Sequence, residues 1–157
     1  MNKKLLLVFL AGFFSCAFIF YAVNFLSQSV PFVTGYANLN LTPSTKISED
    51  NILLYNNEII LKISNATISN YDSTGSMKPI IDVGAHGIRI KPNNVKDIEI
   101  GDIISFRSGN KLIVHRVIEK GTDETGIYFI TKGDGNFFSD GKVRFEDVEY
   151  ITIGILW

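Results

Sequence analysis

The strongest constraint on this chain is a long N-terminal stretch without charged residues, Leu5 to Leu26, which follows Lys3 and Lys4 directly. At 1.5 Å per residue, a helix of about 22 residues extends about 33 Å, enough to cross the hydrocarbon core of a bilayer. A cleaved signal peptide has a shorter apolar run of about 7–15 residues and ends in small residues. The stretch therefore favours a transmembrane anchor over a cleaved signal. The two lysines predict that residues 1–4 are cytoplasmic and that the chain after Leu26 lies outside.

Two further regions follow the anchor. Residues 27–50 are polar and turn-rich, which predicts an extracytoplasmic tether. From residue 51 to 157 the pattern becomes that of short strands bounded by Gly, Asn or Asp. We expect a mainly β domain, a small sheet assembly with a short helix near 143–148. The strand candidates are 58–63, 87–91, 102–107, 111–119, 127–132 and 150–156, and Asn56-Asn57 is a candidate hairpin turn.

Composition argues against several classes of site. The formal net charge is -1, which gives no electrostatic footprint for nucleic acid. The single cysteine, Cys16, lies in the apolar stretch, so no disulfide can form within the chain. One cysteine and two histidines without ligand spacing do not predict a metal site, and no cofactor is implied.

Three polar elements could carry chemistry on the outward domain. Ser76 lies in the segment Thr74-Gly75-Ser76-Met77-Lys78-Pro79, where the glycine leaves room for a substrate backbone. His115 lies in an otherwise apolar strand and could serve as the base that a serine nucleophile needs. Asp134 and Asp140 follow in a turn-rich segment, and a carboxylate near His115 would orient its ring. Each element alone is more typical of a turn or a core position, but their joint occurrence predicts a nucleophile, a base and an orienting group.

The ordered blocks Gly75–Pro79, Gly101–Ile104, Ile113–Val117 and Thr131–Asn136 resemble those of signal peptidase I. The similarity is to the archaeal and endoplasmic-reticulum branch, which uses histidine where the bacterial branch has lysine. It covers residues from about 70 to 157, and the predicted anchor agrees with it. The resemblance implies a membrane-anchored serine endopeptidase with a signal-peptidase-like β-sheet fold, which removes signal peptides after small residues.

The same resemblance implies roles for individual residues. Ser76 would be the nucleophile and His115 its base, while Asp140 aligns with the family carboxylate and Asp134 with a second acidic position. Which of the two aspartates orients His115 stays open at this stage. The substrate-binding candidates are Thr74, Gly75, Met77 and Pro79. The implied partners are preprotein signal peptides and the lipid bilayer, with secretion machinery or partner subunits as further candidates.

Some features depart from the family pattern and leave alternatives. Lys78 stands where this branch commonly has glutamate, and the stretch 80–99 is longer than usual. His86 is a rival base, and a dyad of Ser76 with Lys78 is another. A soluble self-processing protease of the repressor-cleaving type is a rival function, as is a membrane-tethered β domain that has lost activity and acts as a binding subunit.

Overall fold

The computed structural model describes residues 41–157. The predicted cytoplasmic residues 1–4, the anchor 5–26, Cys16 and the first part of the tether lie outside the described residues. Within 41–157, no helix is long and apolar enough to cross a membrane. The three short helices of this part are all 3-10 helices, at Glu49–Asn51, Val95–Asp97 and Phe145–Asp147.

The described part is built from nine antiparallel-paired strands. A separate two-stranded hairpin precedes one seven-stranded sheet, whose spatial order is β3-β4-β9-β5-β6-β7-β8. The hairpin strands are β1 (Ile52–Tyr55) and β2 (Glu58–Leu61). The sheet comprises β3 (Thr67–Asn70), β4 (His86–Ile90), β5 (Ile103–Ser108), β6 (Lys111–Asp123), β7 (Gly126–Lys132), β8 (Lys142–Arg144) and β9 (Val148–Leu156).

The predicted mainly β character is confirmed. Each of the six strand candidates coincides with a strand, and Asn56 turns the β1–β2 hairpin with a φ of 47°. Of the other three strands, β1 was implied only by the candidate hairpin turn, and the sequence analysis missed β3 and β8, which are only four and three residues long. The expected helix near 143–148 is instead the single 3-10 turn Phe145–Asp147, because β8 and β9 take the residues on either side of it.

The strand that carries His115 is the longest of the sheet. β6 pairs with β5 along its first half and with β7 along its second half. The pairing with β7 shifts between Val117 and Glu119, and such a bulge changes which face the side chains beyond it occupy. His115, Arg116 and Val117 are all buried, so both faces of the strand are covered at this point.

Two apolar clusters support the sheet. The larger contains Phe129, Ile104 and Val117 at its centre, and the smaller contains Met77, Ile81, Ala85 and Ile103. The smaller cluster lies directly beneath the segment that carries Ser76, because Met77 is one of its members. Burial of Met77 and Ile81 therefore fixes this irregular connection between β3 and β4 to the sheet.

Candidate active site

Ser76 lies in the connection between β3 and β4, in a series of turns. Its Oγ is 3.1 Å from Thr74 Oγ1, and its N–H points to the same threonine oxygen at 3.4 Å. Ser76 is partly exposed, whereas the neighbouring Met77 is 4% exposed. The serine is thus accessible, while the buried side chain of the next residue, Met77, anchors the backbone to the smaller apolar cluster.

A second loop holds the backbone of Ser76 from the side. The N–H of Gly135 donates to the carbonyl oxygen of Ser76 at 2.9 Å. A Cβ atom added to Gly133 would lie 2.4 Å from that same oxygen, and one added to Gly135 would lie 2.7 Å from the carbonyl oxygen of Gly75. Only glycine permits this approach at both positions. The segment from Gly133 to Gly135 is therefore packed tightly against the Ser76 backbone.

His115 is held by a carboxylate at the far end of the same loop. Its Nδ1 lies 2.6 Å from Asp140 Oδ2, and the ring is almost fully buried. The hydroxyl of Thr131 donates to the same carboxylate oxygen at 2.7 Å, and the N–H of Asp140 donates to the carbonyl of Thr131, also at 2.7 Å. A carboxylate on Nδ1 favours the tautomer in which Nε2 is free to accept a proton.

Asp134 has a different partner. It forms a bidentate ion pair with Arg116, with Nε to Oδ1 at 2.8 Å and Nη2 to Oδ2 at 2.7 Å. The Nη1 of Arg116 also donates to the carbonyl of Gly101 at 2.8 Å. The geometry thus separates the two aspartates, with Asp140 on His115 and Asp134 on Arg116. Thr131 begins one of the four family-like blocks, but the sequence alone indicates no role for it.

Ser76 and His115 make no direct hydrogen bond. In the absence of substrate, catalytic hydrogen bonds are commonly long and tighten only in the complex. The segment from Thr131 to Asp140 contacts both partners, since Gly135 binds Ser76 and Asp140 binds His115. The structure therefore brings the three predicted elements to one loop, while their catalytic roles stay predictions.

The two rival bases have other partners. His86 begins β4, and its exposed ring hydrogen-bonds Asn70 at 2.8 Å. Lys78 forms an ion pair with Asp82 at 2.8 Å, which directs its ammonium to a carboxylate rather than to Ser76. The hydrogen bond from Lys78, followed by one from the backbone of Val83, lowers the pKa of Asp82.

The remaining predicted substrate-binding positions differ in accessibility. Thr74 and Pro79 are exposed and Gly75 is partly exposed, so each can meet a substrate. The side chain of Met77 is buried, which leaves only its main chain for such a contact. Within residues 41–157 no group of three His, Cys, Asp or Glu side chains could hold a metal ion.

Comparison with known proteins finds partial sequence similarity to two signal peptidases. The chain is 31% identical over 81 residues to the signal peptidase complex catalytic subunit SEC11 of Colletotrichum graminicola, covering 50% of this chain and 47% of the relative. It is also 31% identical over 68 residues to signal peptidase I W of Bacillus subtilis, covering 43% of this chain and 36% of the relative. The chain thus spans less than half the length of either protein.

Comparisons with family models and with solved structures find no match. The two partial similarities support a relationship to the signal peptidases, and the mainly β fold is consistent with that relationship.

Proposed function

We propose that this protein is a membrane-anchored serine endopeptidase that removes signal peptides from secreted or membrane preproteins. One observation carries the proposal. The loop that follows β7, from Gly133 to Asp140, binds the carbonyl of Ser76 at one point and the imidazole of His115 at another. Nucleophile and base are thereby attached to one structural element, which supports a serine peptidase, in which the base must come within hydrogen-bond reach of the nucleophile.

The proposed reaction begins when Ser76 Oγ attacks the scissile carbonyl carbon and its proton passes to His115 Nε2. The carbon–nitrogen bond of the tetrahedral intermediate then breaks, and the departing amine takes the proton from His115. A water molecule attacks the resulting ester with His115 again as base, which regenerates Ser76 and releases the new carboxylate. Asp140 stabilises the imidazolium at each stage, because its carboxylate accepts a charge-assisted hydrogen bond from the Nδ1–H group.

Two donors near Ser76 suit the developing oxyanion. The N–H of Ser76 has only a long hydrogen bond of 3.4 Å to Thr74 Oγ1, which an incoming oxyanion can replace. The hydroxyl of Thr74 lies on the same side and can donate as well. Loss of one oxyanion donor typically costs about 10²–10³ in rate.

The proposed substrate lies extended beside the Ser76 segment and pairs through its main chain. Small residues such as Ala before the cleaved bond are expected from the resemblance to signal peptidases. The predicted anchor, Leu5 to Leu26, would raise the effective concentration of the site where signal peptides leave the bilayer.

Two exposed phenylalanines next to the site could contact an apolar substrate segment or the lipid bilayer. Phe137 and Phe138 lie in the loop before Asp140 and are 94% and 83% exposed. Exposed aromatic pairs on a soluble surface commonly mark contact with an apolar partner. We assign this pair to the lipid surface or to the apolar part of a signal peptide.

The test is cleavage of a preprotein by the full-length protein in lipid vesicles, beside Ser76→Ala and His115→Ala. We expect cleavage after a small residue in the wild type and none in either variant. His86→Ala is the matched control, because it removes the other histidine of the chain and should retain activity. Equal loss in His86→Ala and His115→Ala would contradict the assignment of the base.

The alternative function is a tethered binding subunit without activity. A folded wild type that binds preproteins but never cleaves them, alone or with partner subunits added, would favour it. Labelling of Ser76 by a serine-reactive phosphonate, dependent on His115, would argue for the enzyme even without a known substrate.

A further inference from the structure

A short segment at the start of the described chain packs on the block that contains Gly101 and Asp102. We name residues 41–46 the docking strap. Ser44 donates from its N–H to Asp102 Oδ1 at 2.8 Å, and its hydroxyl reaches both carboxylate oxygens at 2.8 and 3.0 Å. Lys46 forms an ion pair with the same carboxylate at 2.9 Å and also binds the carbonyl of Asp97.

The strap binds the buried carboxylate of Asp102, and both oxygens of that carboxylate have hydrogen-bond partners. Asp102 is only 1% exposed, and besides the strap it accepts the N–H of Glu99 at 2.9 Å. A buried carboxylate is costly unless it is paired and hydrogen-bonded. Most of the compensating groups come from Ser44 and Lys46. The strap is therefore an integral part of this domain, although the sequence places it in the predicted tether.

Close backbone contact adds to these hydrogen bonds. A Cβ atom added to Gly101 would lie 2.3 Å from the carbonyl oxygen of Thr42, so only glycine allows the strap to lie here. The carbonyl of Leu41 accepts a hydrogen bond from Arg116 Nη1 at 3.3 Å. The strap thus reaches the arginine that follows His115 in β6.

Arg116 continues these contacts to the nucleophile. Its guanidinium binds the strap and Gly101 on one side and holds Asp134 on the other. Asp134 lies between Gly133 and Gly135, the residues that pack on the carbonyl of Ser76. Polar contacts therefore run from Leu41 through Arg116 to Asp134, whose chain neighbour Gly135 binds the Ser76 carbonyl.

We propose that the docking strap orders the Ser76 loop, with Arg116 as the positioning residue that connects the two. The inference deepens the proposed function, because it takes Ser76 as the nucleophile. Its physical basis is that a planar guanidinium with fixed partners on both sides has little freedom to reorient. Release of the strap would loosen Arg116, then Asp134, and then the turn that holds Ser76.

The first variant is Lys46→Met in the full chain, which removes the ion pair but leaves Asp102 with Ser44 and Glu99. We expect kcat to fall about 3- to 30-fold, the range typical of coupling through such networks, with KM unchanged. Lys46→Arg should restore kcat because it keeps the ion pair. Should Lys46→Met not fold, Ser44→Ala and its rescue by Ser44→Thr provide the milder comparison.

The control is Arg144→Met, which breaks a more exposed ion pair with Asp123 at the far end of β6, with side-chain exposures of 27% and 26% against 15% and 1% for Lys46 and Asp102. Because the two ion pairs differ in burial, kcat is measured well below the unfolding temperature of each variant, so that a loss of stability alone changes neither kcat. If Lys46→Met and Arg144→Met change kcat equally, the strap has no positioning role and the inference is wrong.

A second readout does not depend on activity. Amide hydrogen exchange at Gly135, whose N–H binds the Ser76 carbonyl, should accelerate in Lys46→Met and not in Arg144→Met. A uniform acceleration across the sheet, or none at Gly135, would overturn the inference. Inactivity of the wild type would refute the proposed function instead, while the exchange result would still decide the role of the strap.

Discussion

Replacement of Asp140 by asparagine separates a chemical role for this residue from a structural one. The exchange preserves the shape of the side chain and leaves an oxygen to accept the hydroxyl of Thr131, which lies 2.7 Å away. It removes the negative charge that lies 2.6 Å from His115 Nδ1. We therefore expect a large loss of rate with little loss of stability.

The size of the effect has two contributions. Hydrogen bonds to charged groups contribute about 1.5–3 kcal/mol against about 0.5–1.5 kcal/mol for neutral pairs, so the loss of charge alone costs about tenfold in stabilising an imidazolium. An asparagine whose NH₂ faces His115 would also impose the wrong tautomer, and in serine proteases the corresponding change lowers kcat about 10⁴-fold. We expect a fall of about 10²- to 10⁴-fold for Asp140→Asn.

For Asp134→Asn we expect the reverse, namely a loss of stability larger than the direct loss of rate. Arg116 is buried, and removal of one partner from a buried ion pair costs about 3–5 kcal/mol. Because Asp134 is itself partly exposed, we expect about 2–3 kcal/mol and a fall in Tm of about 10 °C.

The assay is cleavage of a fluorogenic peptide with a small residue before the scissile bond, together with thermal unfolding of each variant. Asp140→Asn should lose rate at an almost unchanged Tm, and Asp134→Asn should lose Tm first. The reasoning is refuted if Asp140→Asn keeps more than a tenth of wild-type kcat. It is also refuted if both variants fail to fold in the same way.

Three further outcomes follow from the contacts described above. Thr74→Val should lower kcat about 10²-fold with KM unchanged, because it removes a donor to the oxyanion, and Thr74→Ser should retain activity. Serine at both Phe137 and Phe138 should reduce vesicle binding and cleavage of a bilayer-bound preprotein but leave a short soluble peptide unaffected; equal loss on both would contradict a role in apolar contact. Hydrogen bonds from Arg144, and then from a lysine, hold the pKa of Asp123 well below its usual range. Asp123→Asn should therefore be less stable than the wild type at neutral pH, and the difference should shrink as the pH falls below about 4; urea titrations at pH 7 and pH 3 would measure it, and a constant difference would contradict it.

Much of the fold could be predicted from local patterns. The strand of His115 is a run of β-branched and aliphatic residues, and its register with β5 follows from the turn Gly109-Asn110. The turn Glu124-Thr125 sets the register with β7 only as far as the bulge between Val117 and Glu119. The strands β3 and β8 were missed because three or four residues carry no period that a sequence can display. Their place at the two edges of the sheet depends on pairing with distant strands.

For the candidate site too, the sequence shows some features and leaves others to the fold. The candidate groups are visible in the sequence: a serine next to glycine, a histidine in an apolar strand, and two aspartates in a turn-rich segment. It could not say which aspartate belongs to His115, because Asp134 and Asp140 are both turn residues and local pattern treats them alike.

That question is answered by tertiary contacts, which also pack residues 41–46, part of the predicted tether, on Gly101 and Asp102. The side chain of Asp140 reaches His115 across 25 residues of sequence, and Ser44 reaches Asp102 across 58. Contacts at such separations are fixed by how strands pair and where a buried charge finds its partners. The physical reason is that local sequence specifies the conformation of each segment, whereas the hydrogen bonds of buried polar groups must be satisfied by whatever the whole fold brings within reach.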